Sequence, residues 1–186
     1  PANDVSLQAA PAEGTPLSAA ENCSYSVTVK TSGGSYGQGE SAVITSQSFT
    51  VLLEADFSTG WYANNGNQTA YYYKLPDGLS FREQTGQSLT NDAGVEFGTY
   101  DLTEDGYLII RFNDTAHEDY YQVSVEVRGT ATANVTTDTE FTFDHGPVII
   151  VENDEGDPNL SEHTKDVVVT QKADGSITYD YTVKIM

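Results

Sequence analysis

The chain has 186 residues, 28 of them Asp or Glu and only 8 Lys or Arg, for a formal net charge of -20. So acidic a surface repels nucleic acid and anionic membranes, which removes both from the expected partners. Apolar residues reach 38% and fall in short runs, enough for one β-sandwich or a sandwich and part of another. No run approaches the roughly 20 apolar residues that span a bilayer, so no membrane insertion is expected.

Residues 1–23 open the chain with PANDVSLQAAPAEGTPLSAA, rich in Ala, Pro and small polar residues and without a periodic apolar face. This reads as the flexible leader of a mature exported protein, ordered only by contacts to the domain that follows. The single cysteine, Cys23, has no internal partner, so the fold must hold without disulfides.

From residue 24 the apolar pattern has period two. Ser24–Lys30 turns Tyr25, Val27 and Val29 to one face. A Gly/Ser-rich turn at Gly33–Gly39 follows. Phe49–Phe57 places Phe49, Val51, Leu53, Ala55 and Phe57 on one face, with Glu54 and Asp56 on the other. Trp61–Thr69 reads as a long polar loop that starts with aromatic residues. Tyr71–Leu75 is a strand stopped by Pro76, and Asp77-Gly78 supplies a turn. Phe97–Leu102 and Tyr107–Phe112 flank Thr103–Gly106 as a hairpin. Tyr120–Arg128 alternates, with Tyr121, Val123, Val125 and Val127 on one face. Glu140–Phe143 and Val148–Val151 are short strands. About eight strands at this spacing predict an all-β, antiparallel sandwich over 24–152.

Composition shifts at 153–165, which is acidic, carries Gly and Pro, and reads as a linker. Asp166–Thr170 and Ile177–Ile185 then form a hairpin around Ala173–Ser176, the 166–186 segment. A lone hairpin is marginal in water. It therefore either docks on the first sandwich or opens a second one, and the second alternative is favoured.

Chemistry-bearing residues are few. His117, His145 and His163 sit in acidic contexts, no G-x-S-x-G element is present, and Cys23 has no predicted base beside it. The pattern predicts no enzyme. Asn153, Asp154 and Asp157 are the right residue types for calcium, but they miss the spacing of a calcium loop. They are the candidate ligands of a calcium clamp, and no other cofactor is expected. Trp61, Tyr62, Tyr71 and Tyr73 are the candidate ligand-binding aromatics. Alternation turns Tyr71 and Tyr73 one way and Tyr72 the other, and Trp61, beside Gly60 and an Asn/Gly loop, is expected to be exposed.

Three stretches carry a resemblance. KLPDGLSF (Lys74–Phe81), GTYDLTEDGYLIIRFND (Gly98–Asp114) and YYQVSVEVRGTA (Tyr120–Ala131) resemble the immunoglobulin-like modules of sortase-anchored Gram-positive adhesins of the collagen-adhesin and fibrinogen-binding type. The ending, Thr164–Ile185, resembles the start of the next repeat in such stalks. The resemblance implies an Ig-like β-sandwich on a secreted, cell-wall-anchored surface protein. It also implies a non-catalytic adhesion role toward a host extracellular protein or glycan, with adjacent domains of the same protein as neighbours. A spacer or pilus-shaft module, and a carbohydrate-binding module of a secreted enzyme, are the alternatives. Some modules of this kind carry a Lys–Asn isopeptide bond beside a buried acid. Here Lys30, Asn153 and Glu54 or Asp56 have the matching order, but alternation turns Lys30, Glu54 and Asp56 outward, against the desolvation that chemistry needs.

Overall fold

The computed structural model describes residues 14–153 and, as backbone, two later strands at His163–Gln171 and Ile177–Ile185. The chain divides into two compact units, Pro1–Glu152 and Asn153–Met186.

In chain order the first unit runs β1 (Thr15–Pro16), a 3-10 turn at Leu17–Ala19, β2 (Cys23–Thr31), β3 (Gly34–Tyr36), β4 (Ser41–Ile44) and β5 (Ser48–Phe57). A short helix α1 (Trp61–Asn64) precedes β6 (Ala70–Lys74), β7 (Leu79–Phe81), β8 (Gln84–Thr90), β9 (Glu96–Leu102) and β10 (Tyr107–Phe112). A second short helix α2 (Asp114–Glu118) leads to β11 (Val123–Ala133), β12 (Thr139–Thr142) and β13 (Val148–Val151). One sheet has the order β1-β6-β10-β9-β8, a second β3-β2-β5-β11-β7, and a third β12-β13-β4. The pairings are antiparallel except β1 with β6 and β4 with β13. The fold is an all-β sandwich, as the period-two pattern predicts.

Alternation explains the core directly. Val27 and Val29 on β2, Val51, Leu53, Ala55 and Phe57 on β5, and Val123, Val125 and Val127 on β11 are all buried, while Glu54, Asp56, Ser124 and Glu126 between them are exposed. The facing sheet contributes Tyr71, Tyr73, Leu108, Ile110 and Phe112, and the third sheet adds Phe141 and Ile149. Each such side chain stabilises the fold by about 1.5–3 kcal/mol on burial. No polar or charged residue is buried among the described residues.

Several elements differ from the sequence reading. The supposed leader joins the fold from residue 14. Thr15 and Pro16 lie in parallel register with Tyr71 and Tyr72, and Leu17 is 2% exposed. One buried leucine and a strand contact outweigh the low apolar content of that segment. Strand β8 was hidden because its sequence, QTGQSLT, has Leu89 as its only apolar residue and buries little else. The loop after Gly60 contains helix α1. Tyr121 does not share the face of Val123: β11 begins two residues later, and Tyr121 is 83% exposed.

In the second unit, β14 (His163–Gln171) pairs antiparallel with β15 (Ile177–Ile185), from His163↔Ile185 to Gln171↔Ile177. The hairpin thus begins at His163 rather than Asp166, taking residues assigned to the linker. The turn at Ala173–Ser176 lies outside the described residues.

Candidate functional site

The aromatic residues expected to grip a ligand are mostly core. Gly60 adopts φ 90°, a left-handed value that glycine accepts freely, and it turns the chain so that Trp61 points back into the sandwich. The indole is 2% exposed. Its ring centre lies 5.5 Å from Phe57 and 4.9 Å from Phe112. Trp61 is therefore a core residue and not the exposed member of the set. Tyr71 and Tyr73 are 0% and 4% exposed. Their hydroxyls donate to the carbonyls of Gln68 at 3.1 Å and Asp144 at 3.0 Å. Only Tyr62 keeps a partly open ring, and it stacks on His117 at 4.1 Å between centroids. None of these four residues offers a fully exposed ring on which a sugar could stack.

The other candidates separate in space. Glu54 and Asp56 are exposed, as alternation requires, and Lys30 is half-buried, so neither acid has the buried setting of isopeptide chemistry. Asn153 is half-buried at the end of the first described segment, while Asp154 and Asp157 lie outside the described residues. Among the described residues no group of three His, Cys, Asp or Glu side chains is placed to hold a metal. Burial, reinforced by the charge of Asp56, pushes the Cys23 thiol up to about 11, which leaves it protonated and unreactive at neutral pH. His145 Nδ1 lies 2.9 Å from Asp144, and its ring packs 4.2 Å from that of Tyr25, whose hydroxyl donates to the same carboxylate. This cluster ties the β12–β13 hairpin to β2, helped by the Val27 N–H donating to the His145 carbonyl at 2.9 Å.

What the sequence did not disclose is an open cleft of about 670 Å³ along one flank of the sandwich. It follows from where β7 stops. That strand pairs with β11 only at Ala131–Ala133, and the last bond is the Arg82 N–H donating to the Thr130 carbonyl at 2.9 Å. The chain then crosses to the other sheet as β8. The Gly86 N–H donates to Asp101 at 2.7 Å, and Asp101 pairs with Arg111 at 2.7 Å, so Asp101 holds the crossover in place.

From Gly129 back to Val123, β11 is paired on the β5 side alone among the described residues. Main-chain groups of successive strand residues point to opposite edges. The Ala133 N–H donates to the Gln47 carbonyl on the β5 side at 2.7 Å, whereas the Thr130 carbonyl faces Arg82. Odd-numbered residues of β11 therefore turn toward β5. The N–H and C=O groups of Ser124 and Glu126 turn into the cleft, and those of Arg128 turn to the same edge just past it. Leu89 and Phe97 form an apolar floor, Tyr100 and Tyr120 form the walls, and Glu54, Asp56, Asp92 and Glu126 stand around the opening. Asn91 Nδ2 donates to the Tyr120 hydroxyl at 2.9 Å, fixing that wall. Among the described residues no lysine or arginine lines the cleft.

Burial pushes the Asp101 carboxyl up, but the Gly86 N–H and the Arg111 guanidinium outweigh it and hold the group below the usual carboxylate range. A depressed folded-state value adds stability above the unfolded value, about 3.9, and loses it as pH falls through the folded value. Asp101→Asn should therefore narrow the drop in unfolding midpoint between pH 6 and pH 3 relative to the parent chain. An equal drop in both would show that Asp101 does not anchor the crossover.

No protein-family model matches the chain, and no curated protein matches it.

Proposed function

We propose that the chain is a non-catalytic adhesion module of an exported, cell-wall-anchored bacterial surface protein, and that it captures an extracellular host protein. The observation that carries this reading is the cleft beside the half-paired β11: an apolar floor, aromatic walls and unpaired main-chain groups are features of protein recognition. The burial of Trp61, Tyr71 and Tyr73 takes those three rings away from any sugar, and the unpaired main-chain groups of β11 favour a protein as the ligand. The adhesin-like stretches at Lys74–Phe81, Gly98–Asp114 and Tyr120–Ala131 support the surface setting, and the charge of -20 suits a solvent-facing exported domain.

The test is an array of extracellular matrix proteins, plasma proteins and glycans probed with the full chain. Signal confined to protein features is expected, weakening with added salt. Binding only to glycans would overturn the protein assignment, and silence on every feature would leave the spacer role in its place.

A further inference from the structure

We infer that the cleft binds an extended, basic segment of a partner protein as an added β-strand, paired in the sheet beside β11. The inference rests on the binding-module reading above and specifies how and what the module binds.

Three observations carry it. The first is the unpaired edge itself. Ser124, Glu126 and Arg128 offer N–H donors and C=O acceptors in the repeat that a β-strand requires, and no described strand takes them. The edge from Val123 to Gly129 is roughly 20 Å long at strand rise, which suits a short extended segment. The second is the cleft's cross-section. A strand seated there alternates its side chains: one set meets the apolar floor of Leu89 and Phe97, and the other faces outward beside Glu126 and Ser124. Glu54 and Asp56 stand one strand further on, directly across from Glu126 and Ser124 in the β5–β11 register. Long basic side chains bridge that spacing of roughly 5 Å per strand.

The third observation is charge. The rim carries Glu54, Asp56, Asp92 and Glu126, and among the described residues no basic side chain lines the cleft. Arg128, just past it, is engaged by Glu126 at 3.2 Å. An incoming segment that alternates Lys or Arg with apolar residues satisfies edge, floor and rim together. A second copy of this chain does not. Edge-to-edge pairing would bring Glu126-bearing faces of two chains together, each chain carrying a net charge of -20.

The probe is a capped peptide of alternating lysine and valine, measured by calorimetry against the full chain. Three control peptides accompany it: the same composition with lysines and valines in separate blocks, the same sequence N-methylated at every second residue, and an alternating glutamate–valine peptide. The diagnostic variant is Glu126→Pro. The Glu126 N–H faces the cleft and makes no bond to β5, so proline there leaves the β5–β11 ladder intact while it removes a donor and blocks an added strand. Ser124→Pro is the second variant, and both are checked for an unchanged far-ultraviolet spectrum.

The alternating peptide should bind in a salt-sensitive way. N-methylation or either proline variant should weaken it by roughly tenfold or more, as expected when main-chain pairing supplies the affinity. Equal binding of the blocked or N-methylated peptide would reduce the effect to charge alone and overturn the inference, as would unchanged binding by both proline variants or no binding at all. The array separates this failure from that of the functional reading. A host protein captured equally by the parent and both proline variants leaves the adhesion role standing and removes the edge. A peptide that pairs with the edge, with no host protein captured, does the reverse.

Discussion

Replacing Trp61 with alanine is expected to lower the unfolding midpoint by about 10–15 °C. The residue is the sole tryptophan and is 2% exposed. It sits edge-on to Phe57 at 5.5 Å and 4.9 Å from Phe112, with Tyr71 at 6.2 Å. These rings come from β5, β10 and β6, so the indole joins both main sheets and α1. Truncating a buried tryptophan to alanine costs about 3–5 kcal/mol through lost transfer energy and the cavity left behind. At this chain length each kcal/mol moves the midpoint by roughly 2–4 °C. Trp61→Phe should recover most of the loss, because the edge-to-face partners remain. Differential scanning calorimetry checks both. A midpoint that hardly moves for Trp61→Ala would return the ring to the surface, where a sugar could reach it.

Gly98→Ala is expected to lower the midpoint by about 5–10 °C, from an overpacking cost of about 2–3 kcal/mol. Gly98 lies opposite Phe112 in the β9–β10 ladder. A Cβ added there would fall within contact of the Arg111 carbonyl oxygen and lie 3.2 Å from the Phe112 Cα. Both are backbone atoms, so relief requires moving a strand rather than rotating a side chain. The same ladder carries Arg111, the partner of Asp101. The damage should therefore spread to the β8 crossover and shift the amide resonances of Gly86 and Ser88. A parent-like midpoint and spectrum would show that β9 and β10 do not approach as closely as this register places them.

The sandwich was legible wherever strands alternate. Phe49–Phe57 and Tyr107–Phe112 are paired strands within a residue of their expected bounds, the first because its alternating ends keep one face buried, the second because a continuous apolar run, buried on both faces, follows the Thr103–Gly106 turn. The pattern faded where strands are polar or small. β8 buries only Leu89, and the second half of β11, Gly129–Ala133, packs through Gly and Ala rather than large side chains. The ordered start of the chain leaves no periodic signal, because a single leucine and a parallel contact to β6 hold it.

Trp61 departs from its expected exposure for a local reason. Its exposed-looking neighbours, Gly60 and the Asn/Gly loop, are the residues that let the chain double back and bury it. The cleft could not be read from the sequence at all. It exists because β7 covers only Ala131–Ala133 and then leaves for the other sheet, a consequence of strand lengths far apart in the chain. What the sequence did mark is its rim. Glu54 and Asp56 were placed on the outward face by alternation, and Glu126 falls on the same face through the β5–β11 register.

Between Val123 and Gly129 one edge of β11 is paired with β5 and the other is taken by no described strand. Residue-resolved amide hydrogen exchange on the unliganded chain tests it most directly. The N–H groups of Val125 and Val127 turn toward β5 and should be strongly protected, while those of Ser124, Glu126 and Arg128 turn to the opposite, unpaired edge and should exchange quickly, giving an alternating profile along one strand. Uniform protection from Val123 to Gly129 would mean that the edge is already paired and would contradict the account.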